Sequence, residues 1–145
     1  MGAWDSGIFD NDTAADWAGD LDDAEASDRP GLVRAALTAA IEADEDGIDL
    51  DDASCALAAA AVVAARLPGG PDVNHNYGPN VETLAALDLG GDLVGLALQA
   101  IDQVVAEESE WRELWDESGS LEEALGTVEP VRAALRGHGN GSAQA

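Results

Sequence analysis

The chain has 145 residues, 46% of them apolar, which is enough for one domain with a buried core. It has 30 acidic residues against 6 Arg and no Lys, so its net charge is −24. Such a surface should repel nucleic acid and anionic membranes and attract basic proteins or cations, although adaptation to high salt would also explain the acidity.

The cysteine content and the N-terminus bear on the compartment. The single Cys55 cannot form an internal disulfide, and the first residues lack a basic segment followed by an apolar one. Both features favour the cytoplasm. The longest apolar run, residues 55–65, is too short to span a bilayer.

The first half of the chain predicts an extended segment followed by three helices. Residues 1–9 are expected to be extended, and Asp10 or Asn11 would cap a helix over residues 11–22. A second helix should start at Pro30, after a cap at Asp28, and end within residues 42–47. The third, from about residue 51 to 67, is almost entirely Ala, Val and Leu, so we expect it to be the central buried helix.

The second half predicts further helices and no strand. Residues 68–80 are rich in Pro, Gly and Asn and should form a loop, with a short helix over 81–87. A long helix should start at Asp92, Ser109 should cap a helix over 110–118, and Ser120 should open a last helix that ends near Arg136. We therefore predict an all-α fold, a compact single-domain bundle of five to seven helices over residues 1–136, and a disordered tail over 137–145.

The N-terminal stretch resembles the signature of a bacterial family known as domain of unknown function 4259. The matching segments are Gly2-Ala3-Trp4, Gly7 to Asp12, Asp16-Trp17 and Asp20-Leu21; residues 56–65 and 109–118 are also similar to that family. Asp5 stands where the family usually has Gly. The motif residues are Trp4, Phe9, Asp10, Asn11, Asp12, Asp16 and Trp17. The resemblance implies a small single-domain protein and no particular activity.

The same motif has three interpretations. Asp12, Asp16 and Asp20 recur every four residues, and carboxylates such as Asp10, Asp12 and Asp16 could bind Ca²⁺ or Mg²⁺. A solvated helix face, with Asp10 and Asn11 as caps, is the simpler explanation. We favour a clasp in which three aromatic side chains fasten the N-terminal segment onto the first helix: Trp4, Phe9 and Trp17.

Three other features offer little chemistry. Residues 42–52 resemble an EF-hand loop, but the twelfth position is Ala53, which cannot bind calcium. The other His, His138, lies in the C-terminal tail and Cys55 in an apolar helix, so His75 has no evident partner for a zinc site and we expect His75 and Tyr77 to belong to an anchored loop. Cys55, without basic neighbours, should be a small core residue.

The helix over residues 110–118 has an apolar strip between acidic flanks. Buried, the strip would close the core; exposed, it would form an acidic-aromatic docking helix for a basic partner. The strip consists of Trp111, Leu114 and Trp115, and we favour the core for the two Trp residues.

The sequence has no phosphate loop and no signature of nucleophilic catalysis. We therefore expect a non-enzymatic acidic binding protein without a cofactor, such as an inhibitor or immunity-type protein that captures a basic protein. The alternative is a divalent-cation-binding protein or metal-dependent hydrolase that uses the N-terminal acidic motif. A third possibility is that the acidity only adapts the chain to salt.

Overall fold

The computed structural model describes residues 12–43, 47–67, 82–83, 87 and 92–144, with side chains described as far as residue 137. Within these ranges the chain forms α-helices and one 3₁₀ turn, without any β-strand, which confirms the predicted all-α class. The elements are α1 (Asp12–Asp23), the 3₁₀ turn (Ala26–Asp28), α2 (Arg29–Ile41), α3 (Leu50–Ala65), α4 (Asp92–Val104), α5 (Glu110–Ser118) and α6 (Leu121–Gln144).

The central position of α3 is confirmed. This helix packs against α1, α2, α4, α5 and α6. Residues 56–64 are all buried, and most of them are Ala, whose small side chains let neighbouring helices approach closely. Larger side chains from the surrounding helices fill the remaining space, each contributing about 1.5–3 kcal/mol on burial. The largest of these are Leu21, Leu37, Leu93, Ile101 and Leu135.

The caps show which local signals decide where helices begin. Ser109 caps α5 as predicted, since its Oγ accepts a hydrogen bond from the Arg112 amide at 3.0 Å. The prediction that the Asp28 side chain caps α2 is wrong: Asp28 makes no side-chain capping bond. Its backbone is helical (φ −91°, ψ −17°) because it closes the 3₁₀ turn, whereas a capping side chain requires extended backbone. Pro30, in the first turn, still sets the start of α2.

The C-terminal helix ends later than its sequence predicts. We expected it to stop near Arg136, but the helical backbone of α6 continues to Gln144. Pro130 lies inside this helix, and because proline has no amide hydrogen it cannot bond to the Gly126 carbonyl. The glycines beyond Arg136 are poor helix formers, and nothing in their sequence accounts for the extension.

Several sequence predictions lie partly or wholly outside the described residues. The extended segment over residues 1–9 and the loop over residues 68–80 fall there, so both stay predictions. Of the short helix predicted over 81–87, Glu82 and Thr83 have helical backbone. Within the described part of the chain, no helix is long and apolar enough to cross a membrane.

Candidate functional site

Only part of the N-terminal motif belongs to the described residues. Trp4, Phe9, Asp10 and Asn11 lie outside the described residues, so the predicted aromatic clasp is not tested. On α1, Asp12 and Asp16 are exposed. Trp17 is half-buried and packs against the core, as a clasp would require of it. The acidic face of α1 is thus directed to solvent and its aromatic side chain inward.

The starts of α1 and α3 adjoin. The Thr13 hydroxyl donates a hydrogen bond to Oδ1 of Asp51 at 3.2 Å. Asp49 caps α3, because its Oδ1 accepts a hydrogen bond from the Asp52 amide at 2.8 Å. Acidic side chains suit this position, since the first turn of a helix carries partial positive charge.

The start of α5 lies against the start of α3. The Glu110 amide donates to the Ile48 carbonyl at 3.0 Å, and the Glu110 carboxylate accepts a hydrogen bond from the Leu50 amide at 2.8 Å. Ile48 is buried and anchors this contact in the core. Gly47 has φ +100°, and a Cβ at this residue would lie 2.1 Å from the Glu108 carbonyl oxygen. Only glycine therefore allows the two loops to approach so closely.

These contacts bring the first turns of α1, α3 and α5 to one side of the molecule. We call the exposed carboxylates along α1 and at the starts of α3 and α5 the acidic edge, which comprises Asp12, Asp16, Asp20, Asp49, Asp51, Asp52 and Glu110. One pKa shift shows that neighbouring carboxylates of the edge repel one another. Partial burial and the neighbouring carboxylates of Asp49 and Asp51 raise the pKa of Asp52. The edge is therefore a concentrated negative charge that its own residues do not neutralise.

Cys55 lies beneath this edge, and its thiol is a poor nucleophile. Burial raises the pKa of its thiol to about 11, and the carboxylates of Asp52, Asp51, Asp20 and Asp49 contribute in that order. A nucleophilic cysteine requires the opposite environment, with nearby positive charge that stabilises the thiolate. Cys55 is half-buried at the margin of the core, so it is less enclosed than the core position that we expected for it.

The arginines do little to neutralise the acidic surface. Arg29 donates to the carbonyls of Leu21 and Asp22 at the end of α1, both at 2.9 Å. Arg66 and Arg112 likewise donate to backbone carbonyls, of Leu87 (3.2 Å) and Val105 (2.8 Å). Ion pairs between described residues elsewhere on the surface include Arg34–Asp92 (2.5 Å) and Arg132–Asp102 (2.8 Å).

A metal site receives no support from the described residues. No group of three His, Cys, Asp or Glu in residues 12–43, 47–67 or 92–137 could hold a metal ion. Within the EF-hand-like segment, Asp49 serves as the cap of α3, while Asp44 and Asp46 lie outside the described residues. Of the candidate ligands in the N-terminal motif, Asp12 and Asp16 are exposed and Asp10 is outside the described part of the chain.

The tryptophans of α5 belong to the core, as predicted. Trp111 is 5% exposed, and Trp115 is half-buried against the core. Leu114 between them is 37% exposed. His75 and Tyr77, the residues of the predicted loop, are not among the described residues.

Sequence reasoning missed the residues that assemble the acidic edge. The sequence places Gly47 and Asp49 in the EF-hand-like segment and Glu110 in the helix over residues 110–118, and it does not indicate that the two segments meet. Asp49 has a local signal, because an Asp three residues before another acidic residue and ahead of an apolar run is a typical N-cap. The bond between Glu110 and Leu50 has none, since it joins residues 60 positions apart in the chain.

One family model matches most of the chain. The family described as Domain of unknown function (DUF4259) matches residues 2–127. No curated protein and no solved structure matches the chain. The chain belongs to the DUF4259 family, to which its N-terminal motif already pointed.

Proposed function

We propose that this protein is a non-enzymatic binding protein whose acidic surface captures a basic protein, in the manner of an inhibitor or immunity protein. The observation that carries the proposal is the acidic edge, where three helix starts present exposed carboxylates together. Complementary charge accelerates the encounter of two proteins, and apolar contacts then set how long the complex lasts.

The way the chain uses its basic residues supports this proposal. With 30 acidic residues and 6 Arg, most carboxylates have no basic partner within the chain. Every described Asp and Glu except Asp22 is exposed. Self-repulsion of this size weakens the folded state, so a basic partner that relieves it gains binding energy from the same charges. Nucleic acid and anionic membranes are poor partners for such a surface.

The proposal places the protein in the cytoplasm. Its one cysteine, Cys55, cannot form an internal disulfide, which is usual for proteins of compartments where thiols stay reduced.

The test is affinity capture from lysate of the source cell, at low salt and at about 150 mM salt. The bait is the full chain, compared with a variant carrying Asp12→Asn, Asp16→Asn and Asp51→Asn on the acidic edge. The control carries Asp23→Asn, Glu25→Gln and Glu129→Gln, which remove the same charge elsewhere. We expect one basic protein that survives moderate salt, is retained by the control and is lost with the edge variant. A set of proteins that all wash off with salt would contradict the proposal.

The alternative, a divalent-cation-binding protein, rests on the closeness of carboxylates that raises the pKa of Asp52. Thermal melting with CaCl₂, MgCl₂ and NaCl at matched ionic strength separates the two functions, because specific ion binding stabilises the folded state beyond general screening. Capture of a basic protein predicts melting temperatures that agree at equal ionic strength. A large excess stabilisation by one divalent cation would favour the alternative.

A further inference from the structure

The outer side of α5 carries an exposed apolar side chain. Among the described residues, Leu114 is the one large apolar side chain that is exposed, at 37%. Trp111, three residues earlier, is buried, and Trp115 is half-buried. The apolar strip of α5 thus runs from the core to the surface and ends in solvent at Leu114.

Acidic side chains surround this apolar point. On a helix, residues three and four positions apart are neighbours, so Glu110 and Glu117 flank Leu114 along α5. Glu113 is exposed on the same helix, next to Leu114 in sequence. Arg112, the basic residue of α5, directs its guanidinium to the Val105 carbonyl at 2.8 Å and away from these carboxylates. An apolar centre with a charged rim is the usual anatomy of a protein interface.

We propose that this α5 face is the docking surface for a basic amphipathic helix of the captured protein. We define the α5 face as Glu110, Glu113, Leu114, Trp115 and Glu117. An apolar side chain of the partner helix sits on Leu114 and on the exposed part of Trp115, while its Arg or Lys side chains lie opposite Glu113 and Glu117. This inference rests on the proposed function and names the surface and the partner's secondary structure.

Charge decides between the possible occupants of the α5 face. A second copy of this chain would bring two acidic faces together, each from a molecule of net charge −24, and like charges across an interface oppose association. A purely basic segment would leave Leu114 in water. A basic amphipathic helix satisfies both the rim and the centre, because its apolar and charged side chains recur at helical spacing.

The α5 face also adjoins the acidic edge, so one partner can contact both. Glu110 belongs to both surfaces, and its carboxylate is held by the Leu50 amide at 2.8 Å. A partner helix lying along α5 would therefore extend toward the start of α3, where Asp49 and Asp51 are exposed. The acidic edge would contribute long-range attraction, and the α5 face would supply the short-range contact.

A synthetic peptide of about 18 residues tests the surface directly, since that length can form a helix on binding. Its Leu residues recur at amphipathic spacing among Arg and Lys, and a scrambled peptide of equal composition keeps the charge without the apolar face. Titration calorimetry with the full chain should show one patterned peptide per protein, bound about tenfold more tightly than the scrambled peptide.

Variants locate the binding. Leu114→Ser should remove most of the preference for the patterned peptide, and Glu113→Gln with Glu117→Gln should weaken its binding about tenfold. The matched control, Asp23→Asn with Glu25→Gln, removes the same charge at the other end of α1 and should have much less effect. All these residues are exposed, and unchanged melting temperatures would show that the variants fold.

The outcomes separate this inference from the proposed function. If both peptides bind equally, and Leu114→Ser changes nothing, the α5 docking surface is wrong while capture by charge alone stands. If the control variant weakens binding as much as the α5 variants, the surface is likewise wrong. If neither peptide binds, the α5 docking surface is overturned, and the affinity capture from lysate decides the proposed function separately.

Discussion

Replacement of Gly47 by Ala tests the contact that assembles the acidic edge. Gly47 has φ +100°, a conformation that residues with a Cβ rarely adopt. A Cβ there would lie 2.1 Å from the Glu108 carbonyl oxygen and 2.6 Å from its carbonyl carbon. Both atoms belong to the backbone, so they cannot move aside as a flexible side chain would. The loops before α3 and before α5 must therefore separate.

The expected loss of stability follows from these contacts. The positive φ alone costs about 1–2 kcal/mol for a residue with a Cβ. Separation of the loops also weakens the hydrogen bonds from the Glu110 amide to Ile48 (3.0 Å) and from the Leu50 amide to Glu110 (2.8 Å). Each such bond contributes about 1 kcal/mol. We expect Gly47→Ala to lower the free energy of unfolding by about 3 kcal/mol in total.

Urea unfolding of three glycine variants provides the assay and its controls. Gly119 also has a positive φ (+79°), but a Cβ there meets no atom within 4 Å, so Gly119→Ala should cost only about 1 kcal/mol. Gly31 lies in α2 with open space around it, and Gly31→Ala should stabilise the protein by about 0.5–1 kcal/mol. If Gly47→Ala costs no more than Gly119→Ala, the two loops do not touch in solution and the acidic edge is not one surface.

Three further predictions concern the site and the core. Burial raises the pKa of the Cys55 thiol to about 11, so at about pH 8 Cys55 should react with iodoacetamide about tenfold more slowly than an ordinary free thiol. Mass spectrometry measures this rate, and the rate of an ordinary thiol would contradict the environment described for Cys55. Because burial and the carboxylates of Asp49 and Asp51 raise the pKa of Asp52, its charge destabilises the folded state at neutral pH. At about pH 7, Asp52→Asn should therefore be more stable than the wild type, and its gain in stability should exceed that of Glu129→Gln. The gain should shrink as the pH falls through the carboxyl range, because Asp52 then becomes protonated. A gain that grows on acidification would show that the pKa of Asp52 is lowered, not raised. Trp111 lies in the core, so Trp111→Ala should lower the free energy of unfolding by about 3–5 kcal/mol, whereas Leu114→Ala should lower it by about 0.5 kcal/mol. Equal losses in urea unfolding would mean that α5 presents a different face to the core.

The sequence predicts those parts of the fold that depend on local patterns. The apolar run within α3 marks a helix buried on all sides, and the structure packs the other helices around it. Ser109 and Pro30 mark helix starts by chemistry that acts within one turn. The prediction of Asp28 as a side-chain cap is wrong because the 3₁₀ turn holds its backbone in helical geometry. No pattern in the sequence predicts that turn.

The acidic edge could be predicted only in part. Its charge is visible in the composition, and the exposure of Asp12 and Asp16 follows from helical spacing. The meeting of the starts of α1, α3 and α5 depends on pairs such as Thr13 with Asp51 and Leu50 with Glu110, which are 38 and 60 residues apart. Such contacts result from how whole helices pack, so no short motif encodes them.

The measurement that tests the central claim most directly is the affinity of a captured basic protein across a range of salt concentrations. The wild type is compared with the edge variant (Asp12→Asn, Asp16→Asn and Asp51→Asn) and with the control of equal charge (Asp23→Asn, Glu25→Gln and Glu129→Gln). If the acidic edge holds the partner, binding weakens steadily with salt, and the edge variant binds at least about tenfold more weakly than the control. Equal affinities of the wild type, the edge variant and the control, or an affinity that does not change with salt concentration, would show that the acidic edge does not bind the partner.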